Sequence, residues 1–271
     1  MMRSLWTAAS GMTTQQTNVD TISNNLSNMN TIGFKKESAQ FKTLLYQTIQ
    51  EKQTNSEGGV KPLSAQVGLG VKTAAIRSIY IQGAYTATGN DFDLAIDGKG
   101  FFAIQMPDGR IGYTRNGAFQ IGLSEEGLVL ASSEGYPVLN SNGEPIVVTG
   151  DYNSSELSVD RNGYLCYPDK TNNKRSIGIQ IGLVQFANPA GLEKSSDSIL
   201  YQTDASGEPV MEAMSSDSSK SKIRSGYLEA SNVDSVEEMV NLIVAQRAYE
   251  MNSKIISASD EMLQQANNLR R

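Results

Sequence analysis

At both ends of this chain apolar side chains recur at alternating steps of three and four, and that period dictates two long helices drawn from the two termini. In the N-terminal stretch Leu5, Ala8, Met12, Gln15, Val19, Ile22, Leu26 and Met29 follow the spacing, and seven of the eight are apolar. Near the C-terminus Leu242, Ala245, Tyr249, Asn252, Ile256, Ser259, Leu263 and Ala266 repeat it, with Ile243, Ile255 and Met262 widening the face. A stripe sustained over more than three heptads needs a partner. The simplest arrangement is an antiparallel, coiled-coil-like pair, with Leu5, Met12, Val19, Ile22 and Leu26 meeting Leu242, Ala245, Tyr249, Ile256 and Leu263 along an assembly seam.

The helix ends carry their own signals. Ser4 reads as an N-cap and Gly33, just beyond Ile32, as a stop. Ser235 and Glu238 stand at capping-box spacing ahead of the second helix. Between Ser4 and Ile32 the only charged side chain is Asp20, and the polar face is Thr, Ser, Asn and Gln. These are weak helix formers, and Gly11 sits among them, so packing rather than propensity must hold this helix. A face so poor in charge is expected to meet protein.

The middle has a different period. Phe92, Leu94 and Ile96, then Phe102, Ile104 and Met106, read as alternating with polar neighbours, and Ile177, Ile179, Ile181 and Leu183 alternate with Gly178, Gln180 and Gly182, as strands do. Asp97-Gly98, Pro107-Asp108-Gly109, Asn116-Gly117, Asn142-Gly143 and Asn162-Gly163 punctuate them, and these dipeptides supply the positive φ of tight hairpins. The fold class is therefore α+β with more than one domain. A terminal helical assembly domain comprises residues 1–34 with 227–271, and a β-rich middle domain of many hairpins spans 73–226. Residues 35–72 form an extended connecting arm, because Phe41 to Ile49 offers a short apolar patch and 50–70 runs polar with Gly58-Gly59 and Pro62. A long polar arm of this kind is expected to be ordered by neighbouring copies.

Catalytic chemistry finds no footing in this sequence. The chain has no His, which removes imidazole bases, ligands and switches, and Cys166 is its only cysteine, which removes an intrachain disulfide and a thiolate zinc site. Cys166 reads as a buried free thiol on a strand after the Asn162-Gly163 turn. Asp91, Asp93 and Asp97 miss the calcium-loop spacing, and Gly98-Lys99-Gly100 lacks the surroundings of a phosphate cradle. Catalytic, cofactor-binding and metal sites are all read as none. A net charge of −6 with no basic cluster argues against nucleic acid as a partner, and nothing points to a small-molecule substrate. Residues 1–30 lack the basic and apolar regions of a cleaved signal peptide.

Three stretches resemble the bacterial flagellar rod and hook protein family. They are Asn24-Asn25-Leu26-Ser27-Asn28 followed by Thr31-Ile32-Gly33-Phe34-Lys35, then Asp93 to Phe102 with Tyr113-Thr114-Arg115-Asn116-Gly117, and then Gln246-Arg247-Ala248-Tyr249-Glu250 with Asn252-Ser253-Lys254. The likeness covers nearly the whole chain, and Asn24, Asn25, Leu26, Asn28, Gly33, Phe34, Gln246, Arg247, Ala248 and Tyr249 carry its terminal motifs. Length, the run Leu44 to Ile49 and the polar arm are most similar to the family's distal-rod members. The resemblance implies a structural subunit, not an enzyme. Such a subunit polymerises with itself into a hollow drive shaft and transmits torque from motor to hook. Implied partners are other rod and hook proteins, the ring proteins around the rod, and the flagellar type III export apparatus, which passes the chain uncleaved to a rod spanning the periplasm or cell wall. A proximal rod or hook subunit is the alternative within the family; a secreted peptidoglycan-cutting enzyme or an adhesin is the alternative outside it.

Overall fold

The computed structural model describes residues 2–50, 65–124, 127–149, 152–153, 156–168, 174–214 and 220–268. The chain divides into two compact units, one drawn from 1–27, 37–78 and 234–271, the other from 28–36 and 79–233. These limits differ from the boundaries expected from sequence. Residues 37–78 join the helices, whereas 28–36 and 227–233 join the β body.

The first unit holds helix α1 (Met2–Ser27), helix α2 (Ser235–Asn268) and four strands, β1 (Glu37–Thr43), β2 (Tyr46–Gln50), β3 (Ala65–Gly68) and β4 (Val71–Ser78). Strand β1 pairs antiparallel with β4, and β2 with β3. Leu44 N–H to Gly70 O (2.9 Å) and Leu69 N–H to Leu45 O (3.1 Å) carry one ladder into the next. The flanks of the expected polar arm are thus a two-stranded ribbon, since a ladder satisfies backbone groups that a loop would leave to solvent. Residues 51–64 of that arm lie outside the described residues.

Both expected N-caps shift. Ser4 lies inside α1 rather than before it. At α2 the cap is Asp234, whose Oδ1 accepts the N–H groups of Val236 (2.9 Å) and Glu237 (3.3 Å), while Ser235 is already helical. A carboxylate at the positive end of the helix serves this role as well as a serine does. Helix α1 stops at Ser27, short of Gly33, because Thr31 bonds back to Asn28 through its N–H (3.1 Å) and its hydroxyl (3.1 Å). Such local side-chain bonds compete with helix.

In the second unit every described ladder is antiparallel. Strands β5 (Tyr85–Ala87) and β6 (Leu94–Asp97) pair with β20 (Tyr227–Glu229) and β19 (Lys222–Ser225), respectively. A six-stranded sheet runs β16 (Glu193–Lys194), β17 (Ile199–Tyr201), β8 (Ile111–Thr114), β7 (Phe101–Gln105), β15 (Leu183–Gln185), β18 (Val210–Met211). Two three-stranded sheets complete the body, β11 (Val147–Val148), β10 (Gly127–Ser132), β9 (Phe119–Ser124) and β12 (Ser158–Val159), β13 (Tyr164–Pro168), β14 (Lys174–Gln180).

Central β7 is buried on both faces. Phe102 and Ile104 enter one apolar cluster with Leu94, Phe119 and Ile181, while Phe101 and Ala103 enter a second with Tyr113, Val184 and Phe186. Both phenylalanines are 0% exposed, so the expected apolar and polar alternation holds only for the first face. Among the described residues, neither cluster contains one from the terminal helices.

Not every Asn-Gly or Asp-Gly pair makes a hairpin. Asn162-Gly163 and Pro107-Asp108-Gly109 do, joining β12 to β13 and β7 to β8, but Gly98 links β6 to β7, which lie in different sheets. Gly117 is needed for space, because a Cβ there would stand 1.7 Å from the carbonyl oxygen of Leu94. Gly117→Ala is expected to cost the body about 1–3 kcal/mol through the forced backbone shift, read as a lower midpoint in denaturant with an unchanged slope.

Candidate assembly interface

The two helices pack together within their unit and run antiparallel. The Ser4 and Ser259 hydroxyls lie 3.3 Å apart. A Cβ on Gly11 would come 2.9 Å from Asn252 Nδ2. Asn25 Nδ2 donates to Glu238 Oε2 at 3.0 Å. From Ser4 to Gly11 to Asn25 the steps are seven and fourteen residues, matched by the same steps from Ser259 back to Asn252 and Glu238. The line of closest approach is therefore built from small and polar residues at heptad intervals, and the apolar stripe flanks it.

That placement sorts the expected seam. Ile22 and Ala245 are buried, while Leu5, Met12, Val19, Leu26, Leu242, Ile256 and Leu263 are half-buried. Tyr249 stands apart, 42% exposed. Because the closest line uses Gly11 and Asn252, the larger side chains beside it are only partly covered. Meanwhile Val236, Val240, Ile243, Val244, Met251 and Ile255 form a second, exposed apolar stripe along α2, and Trp6 on α1 is 73% exposed. Helices of 26 and 34 residues here bury only Ala8, Ile22 and Ala245 among their described apolar side chains. Contiguous exposed apolar surface is uncommon on proteins that make no further contacts.

The terminal motif residues have identifiable partners. Buried Asn25 closes a ring on β1: its Nδ2 donates to Glu37 O (2.8 Å) and its Oδ1 accepts from Glu37 N–H (2.8 Å), besides the bond to Glu238. Asn24 Nδ2 donates to Glu37 Oε2 at 3.1 Å. Glu238, expected as a capping residue, is instead a buried acid 1% exposed. Asn28 holds the turn that ends α1. Gly33, at φ +70°, sits where a Cβ would come 2.7 Å from the backbone of Arg115. The Phe34 ring lies 5.9 Å from the Lys194 ammonium. On α2 Gln246 and Tyr249 are exposed, Ala248 is half-buried, and Arg247 pairs with Glu250 at 2.9 Å on the surface.

Sequence reasoning missed the body's buried ions. Glu229, 1% exposed, takes charge-assisted bonds from both Lys35 and Arg115. Burial pulls the Lys35 ammonium below the usual lysine range, while the Glu229 carboxylate opposes that shift. Of the acids weighed as metal ligands, Asp97 pairs with Arg224 at 2.8 Å, which holds its carboxyl below the ordinary value, and Asp93 accepts from Asn90 at 3.3 Å. Cys166 is a free, buried thiol on β13.

Comparison with known proteins places these features. Residues 5–35 match the family model "Flagella basal body rod protein", 95–167 match "Flagellar hook protein FlgE/F/G D1 domain", and 224–269 match "Flagellar basal body rod FlgEFG protein C-terminal". The chain is 45% identical to the flagellar basal-body rod protein FlgG of Borreliella burgdorferi over all of both chains. Identity to the FlgG of Caulobacter vibrioides is 42% over 99% of this chain and all of the other. For the FlgG of Bacillus subtilis it is 41% over all of both chains.

Proposed function

This chain belongs to the flagellar basal-body rod protein family, as a structural subunit of the rod, and from that premise we propose that the exposed stripe of α2 is where copies pack to build the rod's distal part. The observation that carries the reading is the imbalance between the two units. The β body is closed around its own core, while the terminal helices leave most of their apolar side chains uncovered. Burying one large side chain on assembly contributes about 1.5–3 kcal/mol before ordering costs, and a helical polymer repeats that gain in every subunit. In the polymer the half-covered seam beside Gly11 and Asn252 closes into a coiled-coil-like layer, and the ribbon that exposes Leu45 and Ile49 touches adjacent copies.

A structural role is supported by the names of the relatives, which describe rod proteins rather than enzymes. Contacts with other rod and hook subunits follow from the same membership, and the surrounding rings and the export apparatus are the further partners we assign to a shaft of this kind. No described helix is long and apolar enough to cross a membrane, which suits a subunit seated in the basal body.

Placing Asp at both Ile243 and Val244 tests the interface. Both side chains are exposed in the single chain, so its stability should change by only about 0.5 kcal/mol each. Polymer yield, measured by sedimentation and electron microscopy, is expected to fall to background while circular dichroism keeps its helical signal. Rods formed as readily as by wild type would place the contact elsewhere.

A further inference from the structure

The chain passes between the two units four times, at 27/28, 36/37, 78/79 and 233/234. All four crossings leave the body from only three of its segments, 28–36, 79–83 and 229–233, and those segments meet at one buried cluster. One Glu229 carboxylate oxygen accepts from the Lys35 ammonium and from Gly83 N–H (2.9 Å), and the other accepts from Arg115 Nη1 (3.1 Å). Lys35 also donates to Ile81 O at 2.7 Å. Asn232 binds the same segments again: its Oδ1 accepts Lys36 N–H (2.6 Å) and its Nδ2 donates to Ile79 O (2.9 Å). Backbone bonds from Ile79 N–H to Lys36 O and from Gly33 N–H to Glu229 O, each 2.8 Å, complete the tie. Arg115 anchors it inward, donating to Gly98 O at 2.8 Å with its guanidinium 5.1 Å from the Phe101 ring centroid.

We propose that Glu229, Lys35, Arg115 and Asn232 form a load-sharing joint, locking the three body segments that lead to the terminal unit so that force entering along one is borne by all. Two cations against one carboxylate do not make a favourable way to fill a core, since apolar side chains of equal volume are commonly as stabilising or more so. What the ions add is direction. Each bond fixes one segment against another at a set register, and the bonds act in parallel, so no segment slides without breaking every bond it makes to the other two. The load itself rests on the rod reading above; the tie between segments does not.

Lys35→Met separates the two. It leaves Arg115 and Glu229 as a neutral pair, so the body is expected to stay folded, but it removes both side-chain bonds by which Lys35 ties segment 28–36 to the other two, leaving those made by the Gly33 and Lys36 backbone. In full-length purified protein, amide hydrogen exchange at Gly33, Lys36, Ile79 and Gly83 should accelerate by about tenfold while Phe101 to Ile104 stay protected. In cells carrying the variant in place of their own copy, rods should assemble in normal number, and the swimming fraction should fall several times more steeply than wild type as medium viscosity rises. Unchanged exchange at the junction, or exchange that accelerates there and in the core together, overturns the joint. Local acceleration with a wild-type viscosity response overturns load sharing and leaves the rod reading standing. Wild-type protein absent from rods would sink the rod reading and the load with it, while the exchange result still decides the tie.

Discussion

Ile22→Asp is expected to abolish ordered polymers while the β body still melts as a cooperative unit. Ile22 is 5% exposed in α1, and a carboxylate placed there must be neutralised or desolvated at a cost of several kcal/mol. The helix pair has little to absorb that loss, having only three buried apolar side chains among its described residues. In a polymer the penalty recurs in every subunit. Sedimentation and electron microscopy report the loss of filaments, and a thermal melt followed by near-ultraviolet dichroism reports the body, whose clusters contain no residue of either helix. Deleting residues 1–27 should act alike. The cut must stop there, since 28–36 belongs to the body and carries Lys35. If the shortened chain fails to fold, the terminal helices are part of the body's core; if Ile22→Asp still forms normal rods, the pairing of α1 with α2 is not the seam of the polymer.

Glu229→Ala is expected to be the most damaging single change in the body. It strips the shared partner from two buried cations, Lys35 and Arg115, and breaking a buried ion cluster by removing one member costs about 3–5 kcal/mol. For a unit of this size that is a fall in melting midpoint of roughly 10 °C or more. The pH dependence distinguishes this cause from simple loss of packing. Burial already lowers the Lys35 pKa, and Glu229 is the main influence holding it up. In the variant the folded chain therefore binds the Lys35 proton more weakly than the unfolded chain, so stability rises with pH across the window between the depressed folded pKa and the ordinary lysine value. The deficit relative to wild type should shrink as the solution is made alkaline. A deficit that is the same at neutral and alkaline pH would mean that the buried charge on Lys35 is not its source.

The sequence by itself determined what short-range periodicity encodes. Heptad spacing at the two ends made α1 and α2, and apolar alternation with Gly-centred turns made an antiparallel β body. The motifs at Asn24 to Lys35, Asp93 to Phe102 and Gln246 to Glu250 named the family. Those signals are legible because the residues that produce them lie within one or two turns, or within one hairpin, of each other. The tertiary structure alone decided everything that depends on partners far apart in the chain. Glu238 has the spacing of a cap, yet Asn25, more than two hundred residues away, makes it a buried acid. Lys35 reads as the first residue of the connecting arm, yet Glu229 draws it and its whole segment into the body. Ser4 reads as a cap, Asn25 as part of a motif, and Asn252 and Ser259 as polar members of the heptad stripe, yet all four lie where the helices approach most closely. A side chain's local pattern fixes which element it joins. Whether its charge or amide is buried is set by what the fold brings opposite it, because the cost of desolvation is met only by a partner at hydrogen-bond distance.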